Sequence, residues 1–287
     1  MAARPRTLPA AIAPVLVGTT AAIERAGHLR LGAFAAALVG SVFIQIGTNL
    51  ANDYSDARRG ADTEDRLGPV RVTAAGLATP RRVLVATWLA FAIAVAAGAY
   101  LAVVAGPLIL VVGALSILAG VLYTGGPRPY GYAGLGELFV FLFFGLVAVD
   151  GSYYVQVEEL HLLPAGLAVA VGMLAAAILV VNNVRDLETD RRAGKRTLAV
   201  RLGRERTRRL YVALVLGAYV ALLVTLAVND GPWWAALGLA SLPLARRPLA
   251  AVLGRSDGPS LNGALAATGA LLGAFSLGVS AGLLIAA

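Results

Sequence analysis

The sequence predicts an all-α fold: a polytopic membrane helix bundle of about nine transmembrane helices, arranged as two four-helix repeats plus a ninth helix. Three observations predict it. First, 59% of the 287 residues are hydrophobic and 14% charged, with a mean hydropathy of +0.78; soluble domains are roughly 45–50% apolar and about 25% charged. Second, apolar stretches near the ~20 residues needed to cross a bilayer recur along the whole chain. Third, the charges gather between those stretches rather than within them. Residues 1–287 therefore read as a single integral membrane domain.

Taken in order, the helices are expected near 8–23, 31–51, 83–105, 107–123, 133–155, 160–183, 207–228, 232–245 and 264–286. The apolar N-terminal stretch has no cleavable-signal pattern and begins the first span. Pro9, Pro14 and Pro243 fall inside spans, where neighbouring helices tolerate a bend. The eighth span is short because Arg246 and Arg247 cut it off. The connection at 52–82 is too long and too rich in motifs for a passive turn, and predicts a short amphipathic helix over a site. Of the 24 basic residues, all but Arg25 and Arg30 fall on one predicted side. The positive-inside rule then places the N-terminus and that side in the cytoplasm and the C-terminus outside, for a protein of the cell membrane.

Composition also excludes function classes. The net charge of +8 lies in loops between spans, where it sets orientation, so no nucleic-acid partner is expected. There is no Cys, and the two His are His28 and His161, both on the side with few cations. Disulfides, thiolate catalysis and multi-His metal centres are excluded.

Two acidic clusters end apolar spans. One reads Asn49-Leu-Ala-Asn52-Asp53-Tyr-Ser-Asp56, with Asp62, Glu64 and Asp65 following; the other reads Asn182-Asn183-Val-Arg185-Asp186-Leu-Glu-Thr-Asp190, followed by Lys195. Carboxylates are costly beside hydrocarbon and mark function there. The repeated Asn-x3-Asp spacing after the second and sixth helices puts both clusters on one membrane side, and suggests two repeats with a site between them. Residues at i, i+3 and i+4 share a helix face. Asn49, Asp53 and Asp56 form one such face, and Asn182, Asn183, Asp186 and Asp190 another. Mg2+ takes one or two protein carboxylates plus water and phosphate oxygen. The clusters therefore predict two Mg2+ ions bridged by a diphosphate, with Asp53, Asp56, Asp186, Asp190 and Asn49 as metal ligands. Asn52, Asn182, Asn183, Arg58, Arg66, Arg71, Arg128, Lys195 and Asp62 are candidate substrate contacts, and Arg185 could also neutralise phosphate charge.

Tyr123, at the end of the fourth helix, is a candidate catalytic residue whose ring could face a cation. Tyr130 and Tyr132 sit in a Gly/Pro turn; Phe139, Phe141, Phe143 and Phe144 read as packing or lipid contacts; Trp233 and Trp234 read as an outer interfacial anchor. Glu24, Asp150, Glu158, Glu159, Glu205, Asp230 and Asp257 are expected to face water. Glu137 lies inside the fifth span and should face a cavity or a partner.

Asn52-Asp53-x2-Asp56 and Asp186-x3-Asp190 resemble the two Asp-rich motifs of the UbiA superfamily of intramembrane prenyltransferases. The likeness is closest to its 1,4-dihydroxy-2-naphthoate polyprenyltransferase branch, carried by the stretches at 4–18, 45–77, 123–156 and 182–203. Gly60 stands where many members of the wider superfamily have a further Asp, as in the naphthoate branch, and Ser55 where the branch often has Phe. The resemblance implies Mg2+-dependent transfer of an all-trans polyprenyl group from polyprenyl diphosphate to 1,4-dihydroxy-2-naphthoate, with loss of CO2 and diphosphate, giving demethylmenaquinone. Membrane lipid is the expected surrounding of the prenyl tail. Arg71, after the Gly68-Pro69 turn, is expected to fold over Asp53 and hold the acceptor carboxylate.

Other readings are 4-hydroxybenzoate or homogentisate as acceptor, a CDP-alcohol phosphatidyltransferase and a cation transporter. The phosphatidyltransferase motif needs a Gly after its second Asp and a further Asp pair, both missing after Asp56-Ala57-Arg58. A transporter site belongs at the membrane midplane, whereas these acids lie at one face.

Overall fold

The computed structural model describes residues 4–60, 67–68 and 71–287. Among them the structure is helical, with no strand. The long helices are α1 (Pro9–Ala26), α2 (Leu31–Arg58), α3 (Pro80–Ala105), α4 (Leu108–Leu122), α5 (Gly136–Val157) and α6 (Leu162–Arg185). Two short helices, α7 (Leu187–Arg192) and α8 (Leu198–Leu202), precede α9 (Arg204–Val228), α10 (Trp233–Gly254) and α11 (Gly258–Ala286). Each expected span has a counterpart, but by length and composition seven of the described helices can cross a membrane. The 15-residue α4 is apolar but short, and α1 falls outside the set as well.

The differences have local causes. Helix α2 runs on past residue 51 to Arg58, so Asp53 and Asp56 sit on its last turns rather than in a loop. The expected amphipathic helix in the connection falls partly on 61–66 and 69–70, outside the described residues; the described part at 71–79 is turns. Thr79 then caps α3, its hydroxyl accepting from the Arg82 N–H at 3.4 Å. In α5 the segment Phe141–Val147 is a π-helix, a wider winding common at functional sites. In α10 a 3₁₀ segment, Trp233–Ala245, runs through Pro243 into an α-helical half, so the eighth segment extends past Arg246 and Arg247. Asp150, expected near water, lies within α5 and is half-buried.

Lipid supplies no hydrophobic drive between helices, so close packing relies on small residues. A Cβ at Gly282 would collide with the Trp234 carbonyl, and one at Gly145 would approach the Ala168 carbonyl and Gly172 Cα at 2.7 Å. Helix α6 is the most buried of the spans and packs on α5, α9, α11 and α1. Helix α1 touches α2, α5 and α11 and so closes the bundle. The second helix packs chiefly on the third, and the sixth is held between α5 and α9.

Candidate active site

One end of the bundle gathers both acidic clusters. A cavity of about 330 Å³ opens there between α1–α6, lined at its polar end by Asn49, Asn52, Asp56, Arg71, Asn182, Asn183, Asp186, Asp190 and Lys195. Its walls continue through Tyr123, Tyr130, Phe139, Phe143 and Phe144 to Ala37, Leu101, Ile109 and Val155. Ala37 and Asp56 are both on α2; at about 1.5 Å per residue they are roughly 28 Å apart. The cavity thus links a charged face to the far half of the apolar layer.

Asp56 is the hub, 1% exposed. The Arg71 guanidinium donates to its Oδ2 at 2.8 Å, the Tyr132 hydroxyl to its Oδ1 at 2.6 Å, and Lys195 Nζ lies 3.5 Å from Oδ2. Lys195 also sits 4.8 Å from the centre of the Tyr132 ring, a cation–π contact. The Arg196 N–H donates to the Tyr132 carbonyl at 3.0 Å, tying the turn after α4 to the segment after α7. Across the cavity Arg185 grips Asp186 with both forks, Nε to Oδ1 at 2.7 Å and Nη2 to Oδ2 at 2.6 Å. The same guanidinium donates to Asn182 at 2.8 Å and Asn262 at 2.7 Å.

Several expected residues land elsewhere. The 71–79 segment does fold back, but the Val72 and Thr73 N–H groups, each at 3.0 Å, cover Asp53, while the Arg71 guanidinium reaches Asp56. Asp53 is buried and does not line the cavity. Arg58 is exposed, outside the lining, and donates to the Tyr54 hydroxyl one turn earlier at 3.0 Å, because that face of α2 points to solvent. Arg128 is likewise exposed and outside the lining. Asp62 and Arg66, with Glu64 and Asp65, lie outside the described residues. Asn49 and Gln45 donate to the Thr7 hydroxyl at 3.4 and 3.1 Å, and Asn52 accepts from Thr124 at 2.9 Å.

Sequence reasoning missed some of the wall. Arg4, Thr7 and Gln45 line the cavity, and no spacing pattern marks them. Tyr132 was legible as part of a tight turn beside the site, not as a partner of Asp56. Phe139, Phe143 and Phe144, expected to pack or face lipid, are cavity wall; the last two lie in the π segment and Phe139 just before it. Tyr130 stacks on Phe139 at 4.0 Å between ring centres, and Phe139 on Phe143 at 6.1 Å. Burial raises the Tyr130 hydroxyl pKa above its ordinary value, so the ring stays neutral.

A polar head of carboxylates, amides and cations, joined to an aromatic and aliphatic shaft inside a membrane bundle, defines an enzyme for substrates with an anionic head and a long apolar tail. The sequence profile described as the UbiA prenyltransferase family matches residues 11–260, and the chain belongs to that family. A 1,4-dihydroxy-2-naphthoate octaprenyltransferase of Mycobacterium tuberculosis is 46% identical over 281 residues, covering 98% of this chain and 94% of that protein. The Escherichia coli protein of the same name is 40% identical over 249 residues, covering 84% of this chain and 80% of its own. The fold is that of solved UbiA homologs. The apo structure from Aeropyrum pernix K1 superposes with a TM-score of 0.69 at 14% identity, covering 94% of this chain and 96% of that one. The structure from Archaeoglobus fulgidus bound to GPP and Mg2+ gives 0.64 at 16% identity, covering 97% and 98%.

Proposed function

We propose that this prenyltransferase moves an all-trans polyprenyl group from polyprenyl diphosphate to 1,4-dihydroxy-2-naphthoate, releasing diphosphate and CO2 and giving the quinol form of demethylmenaquinone for menaquinone biosynthesis. The observation that carries this reading is near full-length similarity, at 46% and 40% identity, to proteins named for that naphthoate. The bond between the allylic carbon and the diphosphate oxygen breaks, and its electron pair leaves with the diphosphate. The electron-rich ring carbon forms the new C–C bond. The bond to the carboxylate then breaks, its electrons restoring the aromatic ring as CO2 departs.

The residues present fit a divalent cation. Asp56, Asp186, Asp190 and Asn49 offer hard oxygen donors, and the lining includes no His. Among the described residues no three acidic or His side chains form a closed cage, which suits Mg2+ held by one or two carboxylates and completed by phosphate oxygen. Two such ions, one per cluster, would meet one diphosphate; Asp53 lies outside the lining, its oxygens accepting from the Val72 and Thr73 amides. Bound there, Mg2+ supplies charge neutralisation for the leaving group. The chain's own part is distinct. Lys195 and Arg71, oriented by Asp56, present positive charge to the diphosphate. The aromatic wall shields a developing allylic cation from water. The apolar shaft takes the tail. Acceptors such as 4-hydroxybenzoate or homogentisate are the alternative.

Purified protein given Mg2+, a polyprenyl diphosphate and a panel of aromatic acids tests this. A prenylated naphthoquinol with stoichiometric CO2 is expected. A product that keeps its carboxylate, or a clear preference for 4-hydroxybenzoate, rejects the assignment.

The protein is an integral membrane protein, and we place its active site on the cytoplasmic face of the cell membrane, with the C-terminus outside. The support is the division of 22 basic residues from Arg25 and Arg30. A reporter fused after Ala287 should be extracytoplasmic and one inserted near Arg192 cytoplasmic; a cytoplasmic C-terminal reporter would refute the orientation.

A further inference from the structure

Glu137 is a carboxylate inside a membrane-spanning segment, 6% exposed. It sits in the first turn of α5, and a buried acid in an apolar span is expensive and is retained for a reason. It does not line the cavity. Its Oε1 accepts the Asn183 side-chain amide at 2.8 Å, and its Oε2 has no hydrogen-bond partner among the described residues. Asn183 does line the cavity, on the face of α6 that carries Asp186 and, across the short break, Asp190.

The Glu137 oxygen is the acceptor of this bond and the Asn183 nitrogen its donor. Asn183 is therefore held with its NH2 group against α5, leaving its carbonyl oxygen as the other end of the amide. That oxygen accepts no hydrogen bond among the described residues. Without Glu137 the amide could rotate and present N–H donors, which repel a cation. The comparison within the site is Asn52, whose partner is the Thr124 hydroxyl. A hydroxyl donates or accepts, so it imposes no such orientation.

We infer that Glu137 is a positioning residue that locks Asn183 with its carbonyl oxygen toward the cavity, adding a third oxygen to the Asp186–Asp190 wall that receives the metal–diphosphate head. This rests on the metal–diphosphate reading above. Glu137 acts through Asn183 and does not touch substrate. Partners of this kind, behind a ligand, typically alter metal affinity about 10–100-fold when removed.

The test is Mn2+ binding to the purified protein, followed by electron paramagnetic resonance with inorganic diphosphate present and no acceptor, so that no turnover is involved. Thermal unfolding is recorded alongside. Glu137→Gln should weaken Mn2+ binding at least ~10-fold, because Gln can donate to the Asn183 oxygen and turn it away. Adding Asn183→Asp to Glu137→Gln should restore binding, since a carboxylate presents oxygen whichever way it turns. Asn183→Ala should reproduce the loss on its own, and decides the matter if Glu137→Gln fails to fold. Wild-type affinity in Glu137→Gln or in Asn183→Ala would overturn the inference while leaving the metal reading intact. Absence of Mn2+ binding in the wild type would overturn both.

Discussion

Asp56→Asn is expected to reduce diphosphate release by about 10²–10³-fold, the range seen when one preorganised electrostatic contact is removed from an active site. The reason is the number of groups that Asp56 organises. Arg71, Tyr132 and Lys195 come from three separate segments and converge on its two oxygens at 2.8, 2.6 and 3.5 Å. Asparagine keeps the shape but not the charge, and one of its ends becomes a donor facing a cation or a hydroxyl. The two cations then lose the carboxylate that aims them, and a metal loses an oxygen ligand. Release of diphosphate from a polyprenyl diphosphate, normalised to folded protein, is the measurement. An Asp56→Asn variant that retains near-wild-type turnover would refute the assignment of the site.

The second large effect is on stability. Arg185→Met should lower the unfolding free energy by about 3–5 kcal/mol, the usual cost of stripping one partner from a buried ion pair. Arg185 is 2% exposed and its guanidinium serves Asp186, Asn182 and Asn262 together. Asn262 in turn donates to the Leu67 carbonyl at 2.9 Å, so the network joins α6, α11 and the connection after α2. Met matches the stem but leaves the Asp186 carboxylate buried without its cation. Arg185→Lys should not rescue, because a point charge cannot fork across two carboxylate oxygens while reaching two amides. Thermal unfolding in detergent reads this directly, and an unchanged melting temperature in Arg185→Met would disprove the structural role.

Arg185 also shows where a linear reading stops. In the sequence it is one more cation beside an acidic motif, suited to neutralising phosphate. In the structure its charge is spent on the neighbouring Asp186, and it holds that carboxylate in place. Arg58 and Arg128 carry the same sequence signal and face solvent. Formal charge and spacing identify which residues are near a polar end. They do not say which way a long side chain turns, because that depends on partners distant in sequence, such as Asn262, which is 77 residues from Arg185.

The spans were legible because bilayer insertion is a local criterion. An apolar run of sufficient length must bury its backbone in a helix, whatever its neighbours do. The convergence of the clusters at Asp56 and at Asp186 on one end of the bundle was legible as well, because it follows from counting spans between two copies of Asn-x3-Asp. Membership of the UbiA family could likewise be anticipated from the two Asp-rich motifs and the long strings around them. Only the tertiary structure decided that the loop after α2 puts its backbone amides on Asp53 and its guanidinium on Asp56, that Tyr132 completes that hub, and that Phe139, Phe143 and Phe144 are cavity wall. It alone paired Glu137 with Asn183, 46 residues apart. The division has one physical cause: hydropathy and motif spacing are properties of neighbouring residues, whereas the direction of a hydrogen bond and the lining of a cavity are set by which helices meet.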